Sequence, residues 1–243
     1  MLLDNNEIKR IKWCGYEWLT QERWGKIHPD KSHWWYDESC VYVDENEHLH
    51  LNTKYNPKVF QDINKISYIG AGLVSCTEKF GYGIFSIDAK LPKGKHLWPA
   101  FWMWSWDSWP PEIDIFEGYS NGFGNYLKPR IKKPLGFWNI QTNVHYTDEV
   151  GNKMIGGETG YVGFTNPTER FITYTCIWEK YSIRFFYDGR LVREITDKKI
   201  LSKLENTKMN VIINNGVTDN VNIYDAPESD FVVETFRYSP ILY

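Results

Sequence analysis

The chain has 243 residues, a net charge of −3 and 41 aromatic residues. That length fits one large all-β domain or two small ones, and buries about 70% or more of the unfolded surface. The mild acidity and the lack of a basic run argue against a nucleic-acid partner, and no apolar run approaches the roughly 18 residues of a membrane span.

Residues 1–30 place Trp13, Tyr16, Trp18 and Trp24 among Lys and Glu at no clear period. They predict an irregular arm with one strand, wrapped over a single domain spanning 1–243; a sugar subsite built from its Trp residues is a secondary expectation. The start, Met1 to Glu7, has neither a basic nor a long apolar region and does not read as a signal peptide. Val41–Val43, a turn at Asp44-Glu45-Asn46, and His48–Leu51 predict a hairpin. His48 and His50 share one face of it, which reads as a solvated strand face before a metal pair. Residues 54–66 are polar and read as a loop, with Asn56-Pro57 as a turn signal. Strand, turn and strand follow: Gly72–Ser75, Glu78-Lys79 and Tyr82–Ala89. Cys14, Cys40, Cys76 and Cys176 lack C-x-x-C or zinc spacing. Free buried thiols are expected, with Cys14–Cys40 the one pair worth testing.

The stretch Trp98–Ser120, WPAFWMWSWDSWPPEIDIFEGYS, carries the chemistry. In Glu112-Ile113-Asp114-Ile115-Phe116-Glu117, acids alternate with apolar residues as in a strand with one wet face. Glu112 and Asp114 point the same way, but Glu117 lies an odd step from Glu112. A β-bulge within Ile115-Phe116 returns Glu117 to the acidic face. Three carboxyls sharing one patch repel unless one holds a proton. A protonated carboxyl beside an ionised one is the pair that glycoside hydrolysis needs, here at the about 5–5.5 Å of a retaining enzyme. A nucleophile, a general acid/base and an intervening Asp that tunes both are the roles this suggests. Without its context the pattern reads as an acidic edge strand. Trp98, Trp102, Trp104 and Trp109 supply the context, since aromatic faces stack on sugar rings, and the first three share parity.

Lys90-Leu91-Pro92-Lys93-Gly94, then Trp98-Pro99-Ala100-Phe101-Trp102, then EIDIFE together resemble glycoside hydrolase family 16. The likeness is to its bulged E-x-D-x-x-E subgroup, which includes laminarinases, agarases and carrageenases. The resemblance implies Glu112 as nucleophile, Asp114 as assisting acid and Glu117 as acid/base. Asp114 is then expected to hydrogen-bond Glu112 and to hold a raised pKa through that proximity. Residues 68–90 look like the family's paired strands. Where the family often carries Arg, this chain has Asp88, which predicts loss of a cation at a substrate subsite. The resemblance requires no cofactor; some relatives carry a structural calcium on the outer face, with no ligands identifiable here. It also implies an extracellular or cell-surface location.

Residues 118–137 are a Gly/Pro/Lys-rich connection punctuated by Tyr119, Phe123 and Tyr126, read as a specificity loop or a surface excursion. In Asn139–Tyr146, Gln141, Asn143 and His145 share one face, suited to sugar hydroxyls or to the carboxylates; the family sets such a strand beside the acidic one. Turns at 148–152 and 156–157 precede strands at Phe171–Trp178 and Ser182–Tyr187, a hairpin turn at Asp188-Gly189, and a strand over 191–196. One short helix over 197–205 and strands over 209–216 and 231–238 complete the chain.

Many short strands and almost no helical periodicity predict an all-β sandwich; the resemblance makes it a concanavalin A-like jelly roll of two curved antiparallel sheets with a concave cleft. The expected function is endo-acting, retaining hydrolysis of a β-linked polysaccharide by a monomer, first a β-1,3- or β-1,3/1,4-glucan and second a marine galactan. A lectin-like binding module and a transglycosylase are the alternatives. A panel of glycans assayed for reducing sugar separates the first from the enzyme.

Overall fold

The computed structural model describes residues 8–27, 33–118, 138–156, 159–163, 165–218, 221 and 228–243. The predicted specificity loop, apart from Gly118, lies outside them. Two sheets face each other. The first has the order β1 (Arg10–Trp13), β2 (Tyr16–Leu19), β7 (Leu73–Cys76), β17 (Asn210–Asn214), β9 (Ala100–Trp104), β10 (Glu112–Gly118), β11 (Trp138–Thr147) and β12 (Lys153–Ile155), with β13 (Thr159–Gly163) also on β11. The second runs β16 (Arg190–Ile195), β15 (Ile183–Tyr187), β14 (Ile172–Trp178), β8 (Gly83–Lys90), β18 (Ser229–Pro240), β5 (Leu49–Phe60), β6 (Lys65–Ala71) and β3 (Trp34–Tyr36), with β4 (Val41–Val43) on β5. The sandwich is the predicted jelly roll. The pairings are antiparallel except β3 with β6.

Alternation builds the core between the sheets. β14 reads buried at every second residue, Ile172, Tyr174, Cys176 and Trp178, and β8 does the same with Phe85, Ile87 and Ala89. They meet Phe101, Met103, Ile113 and Val211 from the first sheet. Burying one such aliphatic or aromatic side chain contributes about 1.5–3 kcal/mol. A smaller cluster lies on the other face of the first sheet. There Trp34, Tyr36, Ile69 and Ala71 of β3 and β6 close over Leu73, Trp104 and Ile212.

Several expectations change. The described part of the N-terminal arm holds two strands, not one; β1 and β2 form a hairpin that extends the first sheet through β7. Residues 54–66 are not a loop. β5 runs on to Phe60, and the Asn56-Pro57 signal marks a register shift between Tyr55 and Lys58, because Pro cannot donate to a ladder. β7 and β8 do not pair; they lie in opposite sheets. The hairpin of β4 and β5, the Asp188-Gly189 turn with both residues at positive φ, and the helix α1 (Lys198–Leu204) capped by Asp197 are where the pattern puts them. All four cysteines are free, and Cys14 is only half-buried.

Gly72 marks the crossing from β6 in one sheet to β7 in the other. A Cβ there would sit 2.6 Å from the Cys40 carbonyl oxygen and 2.8 Å from Leu51 Cα, both backbone atoms. Backbone cannot rotate aside as a side chain does. Gly72→Ala is therefore expected to destabilise the fold by about 1–3 kcal/mol, read as a lower thermal midpoint; an unchanged midpoint would show that the crossing relaxes freely.

Candidate active site

The bulge is present and falls where alternation required it. On β9, Asp114 opposes Trp102 and Phe116 opposes Phe101, so β10 advances two residues while its neighbour advances one. On β11, Asp114 opposes Asn143 and Glu117 opposes Gln141. Ile115 and Phe116 are both fully buried in the core, which resets the parity of the strand. Glu112, Asp114 and Glu117 consequently line one cleft of about 440 Å³.

Each acid has defined partners. Glu112 accepts from Trp109 Nε1 at 2.7 Å and lies 3.6 Å from His145 Nε2. Asp114 lies 3.2 Å from the same imidazole nitrogen. Glu117 accepts from Trp98 Nε1 at 3.1 Å and from Asn143 Nδ2. The side chain of Glu112 keeps 15% of its surface open, against 4% for Asp114.

Burial, and then the charge of Asp114, push the Glu112 carboxyl well above the usual carboxylate range; His145 and the Trp109 indole pull it back. Asp114 is also raised well above that range, first by burial and next by Glu117. Its contact with Glu112 lowers it instead, which reverses the cause expected from the sequence. Half-buried Arg193 of β16, donating to the Thr142 carbonyl at 2.8 Å, supplies a weaker opposing charge from behind the sheet.

Trp98, Trp102, Trp104 and Trp109 all line the cleft, and Trp102 is fixed by donating to Asn214 Oδ1 at 2.7 Å. Gln141, Asn143 and His145 lie beside the acids rather than on the cleft wall; Gln141 and Asn143 are buried. Trp24 is the arm residue that reaches the cleft, packed at a tilt 5.0 Å from Trp104, while Trp13 and Trp18 are in the core. Trp34 and Tyr36 also line it, brought there by the parallel pairing of β3 with β6. Lys153 of β12, 4.4 Å over the Trp109 ring, and Asn214 complete the wall. None of these four was expected. HWWY carries no motif that marks a site, and Lys153 falls between the turns expected at 148–152 and 156–157.

Asp88 does not bear on the cleft. It sits on the outward face of β8, paired to Arg237 at 2.7 Å and to Thr173. His50 is held between Asp230 at 2.8 Å and Asp44 at 3.3 Å on the same outer sheet. Among the described residues, Glu112, Asp114 and His145 form the group whose ligating atoms lie within 4.8 Å of one another, the arrangement a cation would need. No described helix is long and apolar enough to cross a membrane.

Comparison with known proteins places this geometry in a family. A glucan endo-1,3-beta-glucosidase A1 of Niallia circulans is 24% identical over 72% of this chain and 25% of its own length. An endo-1,3-1,4-beta-glycanase ExsH of Rhizobium meliloti is 27% identical over 67% of this chain and 37% of its own. The chain thus spans about a quarter to two-fifths of these relatives. The solved LamA of Z. galactanivorans, in complex with laminaritriose and laminaritetraose, superposes with a TM-score of 0.73 at 18% identity, covering 97% of this chain and 96% of that one. The model of glycosyl hydrolases family 16 matches residues 28–222, and the chain belongs to that family.

Proposed function

We propose that this chain hydrolyses internal linkages of a β-linked glucan, β-1,3 or mixed β-1,3/1,4, with retention of anomeric configuration. The observation that carries the reading is the bulge-made trio of carboxyls at the floor of a tryptophan-walled cleft. Relatives named for β-1,3- and β-1,3/1,4-glucan activity favour glucan over a red-algal galactan.

Asp114, the most enclosed of the acids, holds the proton that relieves the patch, which leaves Glu112 as the anion facing the cleft. Glu112 attacks the anomeric carbon while Glu117 protonates the departing oxygen. Glu117 then takes a proton from the water that releases the sugar. Trp98 and Asn143 fix Glu117 by donating to both its oxygens. Carboxyl groups alone supply each step. His145, within reach of Glu112 and Asp114, orients the pair.

Incubation with laminarin, lichenan and κ-carrageenan, with reducing ends counted and the first-formed anomer read by NMR, tests this. Short β-configured oligosaccharides from laminarin or lichenan are expected. Release of the α-anomer, or no release from any of the three, would overturn it.

A further inference from the structure

The bulge that aligns the acids leaves one residue without a place in either ladder. Ile115 has no register partner on β9 or on β11. A bulge of this kind disrupts pairing locally and leaves the extra residue unpaired. Its backbone is fully enclosed, where an unsatisfied carbonyl costs about 1–3 kcal/mol.

The partner comes from the other sheet. Tyr187, on β15, reaches across the core and donates its hydroxyl to the Ile115 carbonyl at 3.0 Å. Tyr187 is 2% exposed. The inward residues before it on the same strand, Ile183 and Phe185, are plain hydrocarbon. A phenol among them is costly unless its hydroxyl is matched. Tyr174, 5.0 Å away ring to ring, packs it edge-on, and Tyr174 in turn lies 4.4 Å from Phe116, the second bulge residue. Both residues of the bulge are thus held from beneath, one by a hydrogen bond and one by an aromatic contact.

We infer that Tyr187 is a positioning residue for the proposed reaction: by pinning the Ile115 carbonyl, it fixes the bulge and so aims Glu117 at the departing oxygen. This rests on the reading of Glu117 as general acid. Tyr187 touches no substrate and acts through two residues of backbone.

Tyr187→Phe removes the hydroxyl and keeps the ring, so two readouts follow. The first is kcat/KM on laminarin and on a β-laminaribioside carrying a 2,4-dinitrophenyl leaving group. Natural linkages need a proton from Glu117; dinitrophenolate leaves without one. Displacement of an acid by a fraction of an ångström should cost about tenfold or more on laminarin, and less than twofold on the activated substrate. Equal losses on both, or no loss on either, would overturn the inference. The second is amide hydrogen exchange at residues 115–118, which needs no activity. Faster exchange there, with β8 and β14 unchanged, is expected when a local pin is removed; unaltered protection would refute the pin. If the unmodified chain cleaves neither substrate, the acid assignment fails, while the exchange result still decides what Tyr187 does.

Discussion

Glu112→Gln is expected to bring glucan turnover down to background while raising the thermal midpoint at neutral pH. The two effects share one cause. Burial and the charge of Asp114 hold the Glu112 carboxyl well above its ordinary range, so keeping it as the anion that attacks costs the fold stability that the unfolded chain does not lose. Stability from this group falls as pH rises beyond the ordinary carboxylate value. Gln is neutral throughout, and its carbonyl can still accept from Trp109 Nε1. It cannot form the glycosyl ester, so nucleophilic catalysis ends. The companion change, Glu117→Gln, should cost about 10²–10⁴-fold in kcat on polysaccharide, the usual share of a general acid/base. Calorimetry and initial rates check both; an active Glu112→Gln chain would defeat the assignment.

A second large effect is expected at Glu22, which the reaction does not use. This carboxyl is 1% exposed and shares its surroundings with Trp104 and Tyr36, two cleft-lining rings. Oε2 accepts from the Arg23 amide at 3.3 Å, and Oε1 has no hydrogen-bond partner among the described residues. Burial pushes its pKa from 4.5 to about 8, with help from the charge of Glu112. Below pH 4.5 both folded and unfolded chains hold the proton, and the group is neutral to stability. Between 4.5 and 8 only the unfolded chain ionises, so stability falls; above 8 the loss is complete. At about 1.36 kcal/mol per pH unit, that window is worth on the order of 5 kcal/mol. Glu22→Gln removes the dependence, less the cost of seating an amide with few partners. Its midpoint should match the parent near pH 4.5 and exceed it increasingly up to pH 8, by roughly 2–4 °C for each kcal/mol gained. Parallel curves for the two chains across that range would show that Glu22 is ionised in the fold.

The acidic strand was legible because its information is local. Six residues with a parity error can be mended in one way, and the mend put Ile115 and Phe116 in the core. The Trp98–Trp104 series and the Gln141–His145 row were legible for the same reason, since alternation along a strand needs no knowledge of the rest of the chain. What failed was non-local. Trp34 and Tyr36 reach the cleft through a parallel pairing with β6, and no pattern within HWWY announces that partner. Asp88 was placed near a subsite because its neighbours in sequence matched a motif, but alternation on β8 turns it outward, onto Arg237. Residues 54–60 looked like a loop because Lys54, Asn56 and Lys58 flank an Asn-Pro turn signal; β6 supplies the hydrogen bonds that make them a strand.

The cleft draws its floor and its wall from distant parts of the chain. The acids lie on β10, whereas Trp24, Trp34 and Tyr36 come from a segment about eighty positions earlier, docked onto the sheet by side chains rather than by ladder bonds to β9 or β10. Variation among those three rings would therefore reshape the wall of the cleft while leaving every ladder bond of the acidic strand in place.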